Sequence, residues 1–211
     1  AQYFGLRCRR VPMNPDFSVP VEELLGNNGG VVLCNPNAPT GIAVGLDVVE
    51  RLLQANPDVV VIVDEAYVDF GADSAVPLIG RYPNLLVVQT ASKSRALAGL
   101  RVGWAMGSEN LIAALRCVRD SINSYPVDRI AQVGTQAAVE DEAHFQELCR
   151  KVAATREWAA RALKEMGFTV LESKTNFLFL SRPGWTGKAL LDGLRTRGIL
   201  VRWWSDPPIA D

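Results

Sequence analysis

Val59-Val60-Val61-Ile62-Val63, followed at once by Asp64-Glu65-Ala66-Tyr67, is the stretch on which the fold turns. Its β-branched residues are apolar at odd and even positions alike, the pattern of a strand covered on both faces rather than on one. Val31-Val32-Leu33-Cys34 and Leu85-Leu86-Val87-Val88 repeat the pattern. Between the first two runs, residues 44–55 place Val48, Val49, Leu52 and Leu53 on one helical face, and Asn56-Pro57 ends the helix. Apolar strands alternating with helices in this way predict an α/β domain: a mostly parallel sheet with helices on both sides.

Further along, residues 101–106 read as another strand with Gly103 and Gly107 as breakers, and residues 110–122 as a helix interrupted by Asn123-Ser124-Tyr125-Pro126. From 142 to 166 the chain reads as one long amphipathic helix, with Phe145, Leu148, Val152, Ala159, Ala162, Leu163 and Met166 at helical spacing and Gly167 as its cap. Strands at 168–171, 176–180 and 199–202 and a helix at 187–197 follow. The pattern predicts a large sheet domain over residues 1–141 and a smaller α+β domain over residues 142–211, entered through the long helix.

Working outward, the 211 residues carry 22 Lys+Arg against 23 Asp+Glu, a formal charge of -1 that gives no electrostatic reason to expect nucleic acid or an acidic membrane as partner. No apolar run approaches the roughly 18 to 20 residues that span a bilayer. Cys8, Cys34, Cys117 and Cys149 stand far apart without Cys-x-x-Cys spacing, so they read as reduced, mostly buried thiols of a cytoplasmic protein rather than metal ligands. His144, the sole histidine, lies at a polar helix start and reads as a solvated surface residue; no Gly-x-Ser-x-Gly turn accompanies it. The chain opens on Ala1 without Met and closes on the loop-like Ser205-Asp206-Pro207-Pro208-Ile209-Ala210-Asp211, which predicts a piece of a longer protein.

The chemistry sits directly after the apolar strands. Asn35-Pro36-Asn37-Ala38-Pro39-Thr40-Gly41 follows the first, Asp64-Glu65-Ala66-Tyr67 the second, and Gln89-Thr90-Ala91-Ser92-Lys93-Ser94 the third. Carboxyl ends of parallel strands share one edge of the sheet, where ligands bind, so Asp64, Tyr67, Ser92 and Lys93 should converge there. Singly, each has an ordinary explanation as a turn former, packing group or surface charge. Together they suit one chemistry: a lysine able to form a Schiff base, an aspartate able to keep a pyridinium nitrogen protonated, and Ser92 with Arg101 able to hold a phosphate. Mononucleotide binding is disfavoured, since neither Gly-x-Gly-x-x-Gly nor Gly-x-x-x-x-Gly-Lys-[Ser/Thr] occurs.

These three stretches, with Ser-Lys-x-x-x-Leu-Ala-Gly-Leu-Arg-x-Gly at residues 92–103, resemble the fold type I pyridoxal phosphate (PLP)-dependent aminotransferases over the whole chain. Leu97-Ala98-Gly99-Leu100-Arg101, Thr175-Asn176-Phe177 and Gly198-Ile199-Leu200-Val201-Arg202 are most similar to histidinol-phosphate aminotransferases. The resemblance implies a three-layer PLP-transferase large domain and a smaller domain, both incomplete. It implies transamination between L-histidinol phosphate and 2-oxoglutarate in histidine biosynthesis, pyridoxal 5'-phosphate as cofactor, and a homodimer. Another aminotransferase of the same fold, acting on aromatic or other amino acids, stays open as an alternative, as does a non-catalytic α/β binding module.

Carried over to this chain, the resemblance makes Lys93 the lysine that holds the cofactor and moves the proton during transamination, a role that asks for a desolvated amine. Asp64 pairs with the pyridine nitrogen and Tyr67 with the ring 3-oxygen. Ser92 and Arg101 take the phosphate, with Thr90 as a weaker candidate. Ala38 stands where the family often has Asn, so Asn37 is the candidate to supply that amide from one residue earlier. The ring-stacking aromatic and the substrate-carboxylate arginine of the family fall outside residues 1–211. Arg95 reads as a solvated ion pair or as added positive potential near a phosphate. Asn176 reads as a strand-edge residue bordering the substrate, and Arg202 with Trp203-Trp204 as core, subunit contact or substrate wall.

Overall fold

A computed structural model of the chain describes residues 4–26, 28–205 and 209. Its central sheet has the order β1 (Val31–Cys34), β2 (Val61–Asp64), β3 (Leu85–Thr90), β4 (Gly103–Gly107). The first three strands are parallel, with Val31 opposite Val61 and Val61 opposite Leu85, and β4 returns antiparallel to β3 with Thr90 opposite Gly103. The architecture is α/β with a mostly parallel sheet.

Alternate residues of the strands build the core. Val31, Leu33, Val61, Val63, Leu85 and Val87 point to one face, where Val49, Leu52 and Leu53 of α1 (Leu46–Ala55) join them. Each fully buried leucine there contributes about 2 kcal/mol of transfer free energy. The helix begins two residues later than its apolar pattern suggests because Val44 is already engaged: its N–H donates to Asn35 Oδ1 and its carbonyl accepts from Asn35 Nδ2. Asn56 ends it, its side chain bonded to the carbonyls of Leu52 and Leu24. β2 likewise starts late, since the Val59 N–H turns back to the Asn56 carbonyl.

The opposite sheet face departs from expectation. Val32 is 68% exposed and Cys34 is exposed, while Leu86 is buried. The apolar residues on that face of β1 call for a cover that the described residues do not provide, so helices on both sides are not realised over β1. The thiols need the same correction, because Cys8, Cys34 and Cys117 are exposed and Cys149 alone is buried.

Three α-helices follow the sheet: α2 (Glu109–Ile122), α3 (Arg129–Glu140) and α4 (Glu142–Glu165). α3 has no counterpart in the sequence reading; the Asp128 side chain caps it by accepting from the Ala131 N–H. Asp141 caps α4 through the N–H of His144, which is exposed, and Gly167 beyond the helix takes φ +86°. α4 packs against the turn Val68–Phe70 and against β5 (Thr169–Val170), which pairs antiparallel with β6 (Leu180–Ser181). These strands are shorter than predicted because residues 173–177 wrap into a hydroxyl-bonded turn: Ser173 Oγ accepts from the Thr175 N–H and bonds the Phe177 carbonyl. α5 (Gly187–Arg195) is capped by Thr186. Residues 199–202 form no strand; the Ile199 N–H returns to the Leu194 carbonyl and Leu200 is exposed.

Candidate active site

The carboxyl ends of β1, β2 and β3 meet along one sheet edge, stitched by Asn35 N–H to the Asp64 carbonyl at 2.9 Å and Glu65 N–H to the Val88 carbonyl at 2.8 Å. Asp64 ends β2 half-buried, its Oδ1 accepting from the Ala66 N–H at 3.0 Å. That bond bends the chain so that Tyr67 follows on the same edge. Lys93 Nζ stands 5.1 Å from the centre of the Tyr67 ring, and Phe177 meets that ring edge to face at 5.0 Å. Lys93 itself is exposed in this chain, so the desolvated amine asked for by the sequence reading is not supplied by these residues alone.

Beside it, the β3–β4 connection gathers the proposed anion ligands. The Ala91 N–H bonds the Val102 carbonyl at 3.1 Å and closes the loop. Thr90 Oγ1 lies 2.9 Å from Ser92 Oγ and accepts the Ser92 N–H at 3.1 Å. Arg101 holds a left-handed backbone, φ +57°, with one guanidinium N–H on the Ala98 carbonyl at 3.0 Å and the group otherwise exposed. A hydroxyl pair and an arginine fork on one short loop are what a phosphate dianion needs.

Asn37 has a structural employment in its own loop as well. Its Oδ1 accepts from Thr40 Oγ1 at 2.9 Å, and its carbonyl accepts from the Gly41 N–H, so it shapes its own turn. Gly41, φ +82°, lets that turn lie against Ser173: a Cβ there would sit 2.5 Å from Ser173 Oγ. The Lys174 N–H then bonds the Gly41 carbonyl at 2.8 Å, so the turn at 173–177 is docked on the loop after β1, with Asn176 exposed on it.

Several residues that hold the site escaped the sequence reading. Arg156 of α4 donates to the carbonyls of Phe70 at 2.7 Å and Thr175 at 2.8 Å, joining the Tyr67 turn to the 173–177 turn. Glu65 is buried and accepts from Ser74, Ala75 and Gln89. Arg95 is no solvated ion pair: its guanidinium covers the Phe145 ring and donates to the Ala138 carbonyl. Trp204 packs near Phe179 and Arg202, at 6.2 and 5.9 Å.

Cys34, exposed on the open face and paired in register with Asp64, has its thiol pushed above the ordinary value, first by partial desolvation of the sulfur and then by the Asp64 charge. A raised pKa means less thiolate at a given pH. At pH near 8, Asp64→Asn is therefore expected to speed alkylation of Cys34 by iodoacetamide, read by peptide mass spectrometry. An unchanged rate at Cys34 in the variant would remove the electrostatic coupling.

Comparison with known proteins adds to this geometry. The family model described as aminotransferase class I and II matches residues 1–210. The chain belongs to the class I and II aminotransferases. Histidinol-phosphate aminotransferase of Acinetobacter baumannii (strain SDF) is 52% identical over 209 residues, which are 99% of this chain and 58% of that protein. Histidinol-phosphate aminotransferase 2 of Thiobacillus denitrificans is 52% identical over 204 residues, 97% of this chain and 57% of that protein. Among solved structures, histidinol-phosphate aminotransferase from Sinorhizobium meliloti in complex with pyridoxal-5'-phosphate aligns with a TM-score of 0.85 at 28% identity, covering 96% of this chain and 57% of that one. This aminotransferase chain thus spans under three fifths of the length of the curated relatives it matches. Among its described residues no helix is long and apolar enough to cross a membrane.

Proposed function

We propose that this chain forms part of a pyridoxal 5'-phosphate-dependent aminotransferase that passes the amino group of L-histidinol phosphate to 2-oxoglutarate, giving imidazole acetol phosphate and glutamate in histidine biosynthesis. The observation that carries the reading is the convergence of Lys93, Tyr67 and Asp64 on one sheet edge beside the Thr90-Ser92-Arg101 loop. The donor set fits the cofactor: an amine for an aldehyde, a carboxylate for a ring nitrogen, a phenol for a ring oxygen, hydroxyls and a guanidinium for a phosphate. When bound, the cofactor supplies an aldehyde that condenses with amines and a ring that accepts electrons.

The protein does the rest. Lys93 would hold the cofactor covalently through Nζ and, when its amine is free, would serve as the base that takes the substrate's proton and the acid that returns it. Asp64 would keep the ring nitrogen protonated, and the Tyr67 hydroxyl would donate to the ring oxygen. Asn37, its Oδ1 held by Thr40, would have its Nδ2 to offer there. Ser92, Arg101 and, less directly, Thr90 would anchor the phosphate.

We also place the domain boundary between Asp141 and Glu142, where Asp141 ends α3 and caps α4. A homodimer is supported by the apolar side chains that α2, α3 and their connection expose, among them Val118, Ile122, Tyr125, Ile130 and Val133. Free Cys8, Cys34 and Cys117 at the surface support the reducing cytoplasm.

A panel of amino donors tests the reading in the intact enzyme. Histidinol phosphate should give a higher kcat/KM than phenylalanine or aspartate. The reverse order would move the protein to another aminotransferase specificity. No turnover with any donor, together with borohydride reduction that leaves pyridoxyl groups scattered over the lysines, would support a mere binding module.

A further inference from the structure

We propose that Arg95 is a positioning residue for Lys93, a role that rests on the function proposed above. Lys93 is exposed, so its own packing does not decide where its amine stands; the backbone beneath it does. That backbone is a tight turn in which the Ala96 N–H returns to the Lys93 carbonyl at 3.1 Å and Ala96 holds φ +55°. A left-handed alanine costs about 1 kcal/mol, so contacts on either side must hold the turn in place.

The two residues after Lys93 supply them. Ser94 is buried and its hydroxyl donates to Asp69, in the turn that follows Tyr67. Arg95 reaches the other way. Its side chain is only 12% exposed, with Nη1 donating to the Ala138 carbonyl at 2.6 Å, Cζ 3.9 Å from the centre of the Phe145 ring, and Nη2 4.0 Å from the Glu142 carboxylate. Ala138 lies in the last turn of α3, where carbonyls lack intrahelical donors and the helix dipole favours a cation. Phe145 lies in the first turns of α4. One guanidinium therefore fixes the amine-bearing loop to both sides of the α3–α4 joint.

The chemistry required is specific to arginine. A lysine could bond the carbonyl but not lie flat on the ring, and a methionine could cover the ring but not bond the carbonyl. Between them, Ser94 and Arg95 hold the loop from opposite sides, so that the amine meets Tyr67 rather than sweeping through solvent.

The test uses the intact enzyme loaded with pyridoxal phosphate. Arg95→Met is expected to lower the visible circular dichroism per bound cofactor by half or more, because a chromophore in a loosened site loses its fixed chiral surroundings. It should lower kcat about tenfold while changing the KM of the amino donor less than about twofold. Arg95→Lys should recover part of both losses. Phe145→Leu leaves the loop residues intact and should shift both readings in the same direction; it decides alone if far-ultraviolet circular dichroism finds Arg95→Met unfolded. Parental dichroism and kcat in Arg95→Met and Phe145→Leu overturn the proposal while the functional reading stands. If the unsubstituted enzyme is not labelled at Lys93 by pyridoxal phosphate and borohydride, the functional reading falls and the proposal with it.

Discussion

Replacing Lys93 with alanine in the intact enzyme is expected to lower kcat for transamination on the order of 10⁴-fold or more, since one substitution removes both the covalent anchor and the proton carrier. Borohydride reduction in the presence of pyridoxal phosphate should then leave no pyridoxyl group at that position. Lys93→Arg is the sharper variant. It keeps a cation for the Tyr67 ring, 5.1 Å from the present amine, but a guanidinium does not lose its proton near neutral pH and forms no stable imine. Both variants should fold as the parent does, because Lys93 is exposed and supports no core contact. Substantial turnover in Lys93→Arg would show that the residue acts through charge alone and would overturn its assignment.

Glu65→Leu is expected to destabilise the protein by about 3 kcal/mol, measured by urea denaturation. Glu65 is 1% exposed and pairs with no cation among the described residues; it is held by hydrogen bonds from Ser74 Oγ at 2.6 Å, the Ala75 N–H at 2.6 Å and Gln89 Nε2 at 2.8 Å. Gln89 is held in turn, its Oε1 accepting from Trp104 Nε1 at 3.1 Å. A leucine leaves the Ala75 N–H and the Gln89 amide without their acceptor, at roughly 1 to 3 kcal/mol for each buried donor. Glu65→Gln retains one acceptor oxygen and should cost about half as much. A loss below about 1 kcal/mol in Glu65→Leu would mean that water or a neighbouring carbonyl satisfies these donors. Glu65 follows Asp64 directly, so this network also holds the carboxylate proposed to face the ring nitrogen.

What the sequence made legible follows from which signals live in side chains. The parallel strands were visible in their apolar runs, and their shared edge followed from strand direction, which brought Asp64, Tyr67, Ser92 and Lys93 into view. α3 was not visible, because Ile130 and Val133 face solvent and trace no buried stripe. The partners of Arg95 and Arg156 are unreadable for another reason: they are the carbonyls of Ala138, Phe70 and Thr175, and a backbone carbonyl leaves no mark in the sequence. The overlong strand predictions in residues 168–180 failed where Ser173 and Thr175 turn their hydroxyls onto nearby backbone groups. The apolar pattern of β1 predicts cover on both faces, and Val32 is exposed, since such a pattern reports what a residue would bury rather than what stands over it.

The loop between β3 and β4 carries one more consequence. Its closing bond, Ala91 N–H to the Val102 carbonyl, places Lys93 and Arg101 on a single closed loop. The reach from amine to guanidinium is thus written in residue count, independent of how distant elements settle. Such a segment tolerates exchange of side chains but not a change of length: one inserted residue would shift the two charges out of step while every strand kept its place. Insertions and deletions among homologous sequences should therefore avoid residues 92–101 and collect in stretches such as 182–186.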